Sequence, residues 1–247
     1  MALSAGLQIT DQDARTASTV KGAARYGQTA MTSDGRLFQY AANGSTSVAL
    51  APGKLAQGAV STANHVNRTG VTATVGQQTV TFAVGATAVT ANQYQDGYLV
   101  VNAGTGAGQA LLISGNTSAS SSGSPTVNLK DAFTTATAVA DSKFSLHPNP
   151  WSAALIAASA SATSVLPAGV PLVSMPASGF GWLQVGGPAS VLANGTPALG
   201  SGVIPSATTD GAVDVEATTT VTARVGLMMI TAVSTEYRPV LLTIRTA

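Results

Sequence analysis

His65 and His147 are the only imidazoles in a chain of 247 residues that has no cysteine. Thiolate metal sites, thiol nucleophiles and a disulfide framework are thereby excluded, though the compartment is not fixed. Neither histidine sits at metal-ligand spacing from another ligand type, and a zinc site needs about four ligands. His65, within Asn64-His-Val-Asn67, therefore reads as a polar loop residue. A Ser-His-Asp hydrolase would have to recruit one of these two rings, and no G-x-S-x-G elbow supplies its serine. The carboxylates are Asp11, Asp13, Asp34, Asp96, Asp131, Asp141, Asp210, Asp214, Glu216 and Glu236. Glycoside hydrolysis needs two of them about 5 to 9.5 Å apart, a separation that spacing alone does not reveal. Asp214 and Glu216 share one face of a strand, as a solvated edge or a cation site; calcium asks for about six or more oxygens, which favours the edge. Gly104-Thr-Gly-Ala-Gly108 has glycine spacing like that of a nucleotide loop, but Gln109 follows it and no helix does, so the dinucleotide fingerprint is not met. The basic residues Arg15, Lys21, Arg25 and Arg36 are too sparse for a nucleic-acid stripe and suit an acidic protein surface instead. The expectation is a chain without catalytic residues, cofactor or metal.

The elements that would have to position any site are strands. Val71, Ala73 and Val75 alternate with threonines, as do Val80, Phe82 and Val84 with Thr81 and Ala83, which predicts a half-buried hairpin around a link at 76–79. A second hairpin is expected from 98–101 and 110–113 about a glycine-rich loop, its continuous apolar arms covered on both faces. Further strands are expected at 36–41, 126–129, 143–146, 171–175, 181–185, 220–225, 227–233 and 240–244. Residues 35–40 and 181–185 are faintly alike in sequence. Alanines at 153–162 admit one short helix. The Ser/Gly run 118–124 reads as a loop tip. His147-Pro-Asn-Pro-Trp151 stiffens the backbone and removes amide donors, which suits a domain junction. The expected architecture is all-β: two β-rich lobes of sandwich or barrel type with long loops and little helix. Its divisions are an arm with the first strands at 1–60, a subdomain at 61–150 and a C-terminal subdomain at 151–247.

Composition then narrows the function classes. Charged residues make up 9% of the chain and the formal net charge is +1, against roughly 25% charged in ordinary soluble domains. A solitary domain usually keeps its net charge away from zero, so small hydroxyls and methyls at the surface point to self-association. Residues 144–209 hold no Asp, Glu, Lys or Arg at all. So long an uncharged, Gly- and Pro-rich stretch is not all core; part of it is surface that something else covers. Trp151, Phe180 and Trp182 fall within it, as interface anchors or as anchors of a β core. With Arg25 and Tyr26 they are the candidate residues of an interface, between subunits or with a partner surface. The start of the chain lacks a basic region and a sustained apolar run, which predicts no secretory signal. The uncharged stretch 153–173 is long enough to span a bilayer but is diluted by serines and broken by Pro167 and Pro171, which predicts no membrane segment.

Three segments carry a family resemblance: Gly35-Arg-Leu-Phe-Gln-Tyr-Ala-Ala-Asn-Gly44, Tyr94-Gln-Asp-Gly-Tyr-Leu-Val-Val-Asn-Ala-Gly-Thr-Gly-Ala-Gly-Gln109 and Gly179-Phe-Gly-Trp-Leu-Gln-Val-Gly-Gly-Pro-Ala189. Together, and over most of the chain from about Lys21, they resemble virion structural proteins of tailed bacteriophages, of the capsid decoration or cement type. That resemblance implies a non-enzymatic protein, commonly trimeric, that binds the major capsid protein on the outer surface of the virion after synthesis in the host bacterial cytoplasm. It brings no catalytic residues to transfer. Two rivals remain: a head-fibre or tail protein that binds host surface glycans, which should show shaft repeats, and a glycan hydrolase.

Overall fold

The computed structural model describes residues 7–216 and 223–245. It is nearly all β, with 38% strand and 4% helix, and one of its two sheets curls into a half-barrel. The cause is local: Val, Ile and Thr are stiff at χ1 and fit a pleated surface better than a helical turn. The chain divides into two units, one built from residues 1–59 and 153–247, the other from residues 60–152.

The first unit begins with β1 (Leu7–Gln8), a single helical turn α1 (Asp11–Ala14), β2 (Thr29–Met31), β3 (Leu37–Ala42) and β4 (Ala56–Gln57). The chain then builds the second unit from β5 (Arg68–Thr69), β6 (Thr79–Thr81), β7 (Tyr98–Ala103), β8 (Ala110–Asn116), β9 (Thr126–Leu129) and β10 (Lys143–His147). It returns to the first with β11 (Leu155–Ile156), β12 (Pro167–Pro171), β13 (Phe180–Leu192), β14 (Gly202–Pro205), β15 (Val213–Val215), β16 (Gly226–Met228) and β17 (Tyr237–Thr243). The order across the main sheet is β1-β2-β3-β13-β17-β16-β14-β15, with β12, β4 and β11 branching from β13. Because β3 and β17 flank β13, segments from before residue 60 and after residue 152 share one sheet. Its buried face carries Val191, Val203, Val213, Met228, Val240 and Leu242.

The second unit is a sheet of order β5-β10-β7-β8-β9-β6. Its own core gathers Leu99, Val101, Ile113, Val127 and Leu146 around Phe82, Phe133 and Phe144, with Phe82 edge-on to Phe144 at 5.2 Å. Burying each such side chain contributes roughly 1.5–3 kcal/mol, so each unit has its own driving force for folding.

Several strands fall elsewhere than periodicity alone places them. The 98–113 hairpin forms as expected, Leu99 opposite Leu111. Its arms, however, alternate buried residues with half-buried or exposed ones instead of being covered on both faces. The 71–84 hairpin does not form. β6 pairs with β9, and Ala73 makes only an isolated bridge to Thr137. Alternation reports a buried face and is silent about the partner. The strand expected at 171–175 lies earlier, as β12, and the helix admitted at 153–162 is instead β11 followed by a 3₁₀ segment, Ser159–Ser164. Of the strand expected at 220–225, residues 220–222 lie outside the described residues, and 223–225 are not strand.

Candidate interaction surface

In the first unit β3 and β13 run antiparallel, with Phe180 opposite Ala42, Trp182 opposite Tyr40 and Gln184 opposite Phe38. Residues directly opposite share a face, so the register gathers Phe38, Tyr40, Phe180 and Trp182 on one side of two neighbouring strands. Trp182 meets Tyr40 edge to face, ring centroids 5.2 Å apart. Tyr40 is buried, whereas Phe180 and Trp182 are half-buried. The opposite side of β13 here, Gly181, Leu183 and Val185, is buried.

The chain around residue 25 folds against this pair. The Tyr40 N–H donates to the Gln28 carbonyl at 3.0 Å, and its own carbonyl accepts from Gly27 at 2.9 Å. The Gly22 N–H donates to the Tyr40 hydroxyl oxygen at 2.8 Å. Between those contacts, residues 25–28 form a tight turn: the Gln28 N–H donates to the Arg25 carbonyl, and the Gln28 side chain accepts from the Arg25 N–H. Arg25 is exposed at this turn and Tyr26 is half-buried, with the Lys21 ammonium 4.9 Å from the Tyr26 ring centroid. That distance suits a cation–π contact. Ser18 and Phe180 exchange both backbone hydrogen bonds, and Val20, just beyond, is 73% exposed. Arg25, Tyr26, Phe180 and Trp182 are thus set along the two sides of Tyr40. Trp151 belongs to the other unit, where its N–H donates to the Asn149 side-chain oxygen.

Sequence reading passed over Tyr40, which joins these residues. Its signal was the faint likeness between residues 35–40 and 181–185, because those segments are the paired strands β3 and β13. Beside them lies an ion network: Asp11 binds Arg15 at 2.7 Å and Arg36 at 2.5 Å, and Arg36 binds Asp34 at 2.7 Å. A capping box fixes one end of it, with the Asp13 N–H donating to the Thr10 hydroxyl and the Asp13 carboxylate accepting from the Thr10 N–H. The Thr32 hydroxyl hydrogen bond, followed by Arg36, holds the Asp34 carboxyl down at about 2. Asp11 is lowered by Arg15 first and Arg36 second.

The groups with catalytic potential are dispersed. His65 is not the polar loop residue that its neighbours imply; it is fully buried, with Nδ1 against the Tyr94 hydroxyl and Nε2 2.9 Å from the Thr87 carbonyl. A carbonyl only accepts, so Nε2 carries a proton, and in the neutral form of the ring Tyr94 donates to Nδ1. Burial pushes the Tyr94 hydroxyl up to about 12, which keeps that donor in place. His147 Nδ1 lies 2.7 Å from the Ser61 hydroxyl. Among the described residues no carboxylate orients the ring, as the third member of a triad would. Asp214 accepts from the Asn194 amide, and Glu216 pairs with Arg224, so the two carboxylates have separate partners. Among the described residues no group of three His, Asp or Glu side chains is placed to hold a metal ion.

No family model, curated protein or solved structure matches this chain.

Proposed function

We propose that this chain is a capsid decoration protein of the tailed-phage type, acting as a homotrimer clamped to a lattice of major capsid protein and stabilising the head without catalysis. The observation that carries this reading is the half-buried Phe180–Trp182 row, set in a stretch of 66 residues, 144–209, that has no Asp, Glu, Lys or Arg. An aromatic anchor in an uncharged stretch costs little desolvation energy to cover, and interface centres are depleted of charge and enriched in aromatics. The exposed Arg25 beside it supplies a charge that can steer approach to an acidic partner. The sequence resemblance of residues 35–44, 94–109 and 179–189 supports the same assignment and implies a position on the outer virion surface.

The energetics suit a lattice. About 800 Å² per partner is ordinary for one specific contact. Closed symmetry repeats that contact, and attachment at several sites raises the effective concentration for each next one. A protein that binds only the assembled shell stabilises it by mass action.

The test compares particles with and without the protein, under heat or low salt, and adds back wild type or Trp182→Ala. Wild type should restore robustness, and Trp182→Ala should bind at least about tenfold more weakly, the effect of losing roughly 1.4 kcal/mol at a buried anchor. Depleted shells as robust as complete ones would refute the proposal. Finding the protein only on tails or fibres would favour host-glycan binding instead.

A further inference from the structure

The first unit contains a cleft of about 610 Å³ between the outward side of β13 and β17 and the loops at 51–53 and 171–172. Its size falls within the roughly 300–1,000 Å³ typical of small-ligand sites. Arg15 and Arg36 line it together with Ser190 and Tyr237. We propose that it binds an acidic sugar, its carboxylate on the two arginines and its ring against Tyr237.

The donors come first. Arg15 meets Asp11 only through Nε, and Arg36 meets Asp34 and Asp11 through Nε and Nη2. Among the described residues neither Nη of Arg15 nor Nη1 of Arg36 makes a hydrogen bond or ion pair, while the Arg36 guanidinium also lies over the Phe38 ring. Guanidinium N–H groups recognise a carboxylate more strongly than a neutral oxygen. The Ser190 hydroxyl and the Tyr237 hydroxyl also have no partner among the described residues, and both residues are exposed. Such groups suit the hydroxyls of a sugar.

The walls exclude a different class of ligand. Pro52, Pro171 and Pro188 have no N–H to offer. Along β13, residues 186–192 are already paired with β17. On the other edge, where pairing with β3 ends at Gly186, Pro188 offers no N–H, so an extended peptide would find a poor strand edge for its main chain, the usual source of its affinity. A compact ligand held by side-chain donors fits better. Tyr237 is 49% exposed and is seated by Gly53, where an added Cβ would lie 2.6 Å from the ring. The ring offers an apolar body with a polar tip, which matches the C–H face and hydroxyls of a pyranose.

This inference does not depend on lattice binding. The test is an NMR titration of the full ¹⁵N-labelled chain with glucuronic acid, glucose, acetate and an N-acetylated, C-amidated glutamate. Glucuronic acid should shift the amides of Gly53, Ala189, Ser190 and Tyr237 and saturate in the millimolar range, with each other probe at least about tenfold weaker. Arg15→Gln and Tyr237→Ala should each weaken glucuronic acid about tenfold while the remaining resonances stay in place. Acetate binding as tightly as glucuronic acid would reduce the cleft to an anion site and overturn the proposal. So would equal binding of glucose, tighter binding of the blocked glutamate, or no shift at these residues.

Discussion

At the scale of single residues, two arrangements make predictions that do not depend on the proposed function. Tyr94→Phe removes the hydroxyl that faces His65 Nδ1 and leaves a buried acceptor without a donor. Such a loss costs about 1–3 kcal/mol, to be seen as a lower urea midpoint at unchanged slope. The second concerns pH. An aspartate in an unfolded chain titrates near 3.9, whereas folded Asp34 titrates at about 2. A folded pKa below the unfolded one contributes stability that is present above the unfolded value and lost as pH falls through the folded value. Asp34→Asn should therefore lower Tm at neutral pH, by an amount that shrinks as pH drops from about 4 to about 2 and vanishes below that. Half of the Asp34 side chain is exposed, so solvent screening keeps the neutral-pH effect within about 1 kcal/mol. A difference that persists unchanged at pH 2 would contradict this account.

At the scale of elements, register and turns determine what meets what. Gly97 follows Asp96, which has a positive φ of 60° and pairs with Lys130 at 2.8 Å. A Cβ at Gly97 would lie 2.3 Å from the His147 carbonyl oxygen at the end of β10. Since that obstacle is backbone, Gly97→Ala must displace β7 from β10, at a cost of about 1–3 kcal/mol or more. Thermal unfolding of the variant measures it; a Tm within a degree of wild type would mean that the turn is looser than described. His147 itself ends β10, where among the described residues its ring hydrogen-bonds Ser61 alone. Purified protein should therefore show no ester or glycan hydrolysis that Ser61→Ala abolishes, because a lone Ser–His pair lacks the orienting carboxylate.

At the scale of the whole molecule, one unit is a continuous segment and the other is completed from both sides of it. A fragment of residues 60–152 contains all six strands and the aromatic core of its sheet. It should fold alone, giving a β-type circular dichroism spectrum and a cooperative melt. A fragment of residues 153–247 keeps β13 but loses β3, which leaves the edge of a long strand unpaired. Exposed edges of that kind recruit other chains, so the fragment should aggregate unless residues 1–59 are supplied. A soluble, folded fragment of 153–247 would show that β3 is dispensable.

The sequence by itself determined the class of structure and the chemistry that is scarce in it. Short apolar and β-branched runs bounded by turn residues set β conformation locally, and strands form at 98–101, 110–113, 126–129 and 143–146 as those runs predict. The uncharged stretch 144–209, with Phe180 and Trp182 inside it, is equally a matter of composition. Tertiary structure alone decided the partners. β6 prefers β9 to its sequence neighbour, β3 comes to lie beside β13, and Tyr40 thereby meets Trp182. A period of two specifies which face of a strand is buried, and every apolar face of similar width satisfies it equally well. Partner choice depends on packing between residues far apart in the chain. His65 was illegible for the same reason: its burial depends on Tyr94 and Thr87, more than twenty residues away.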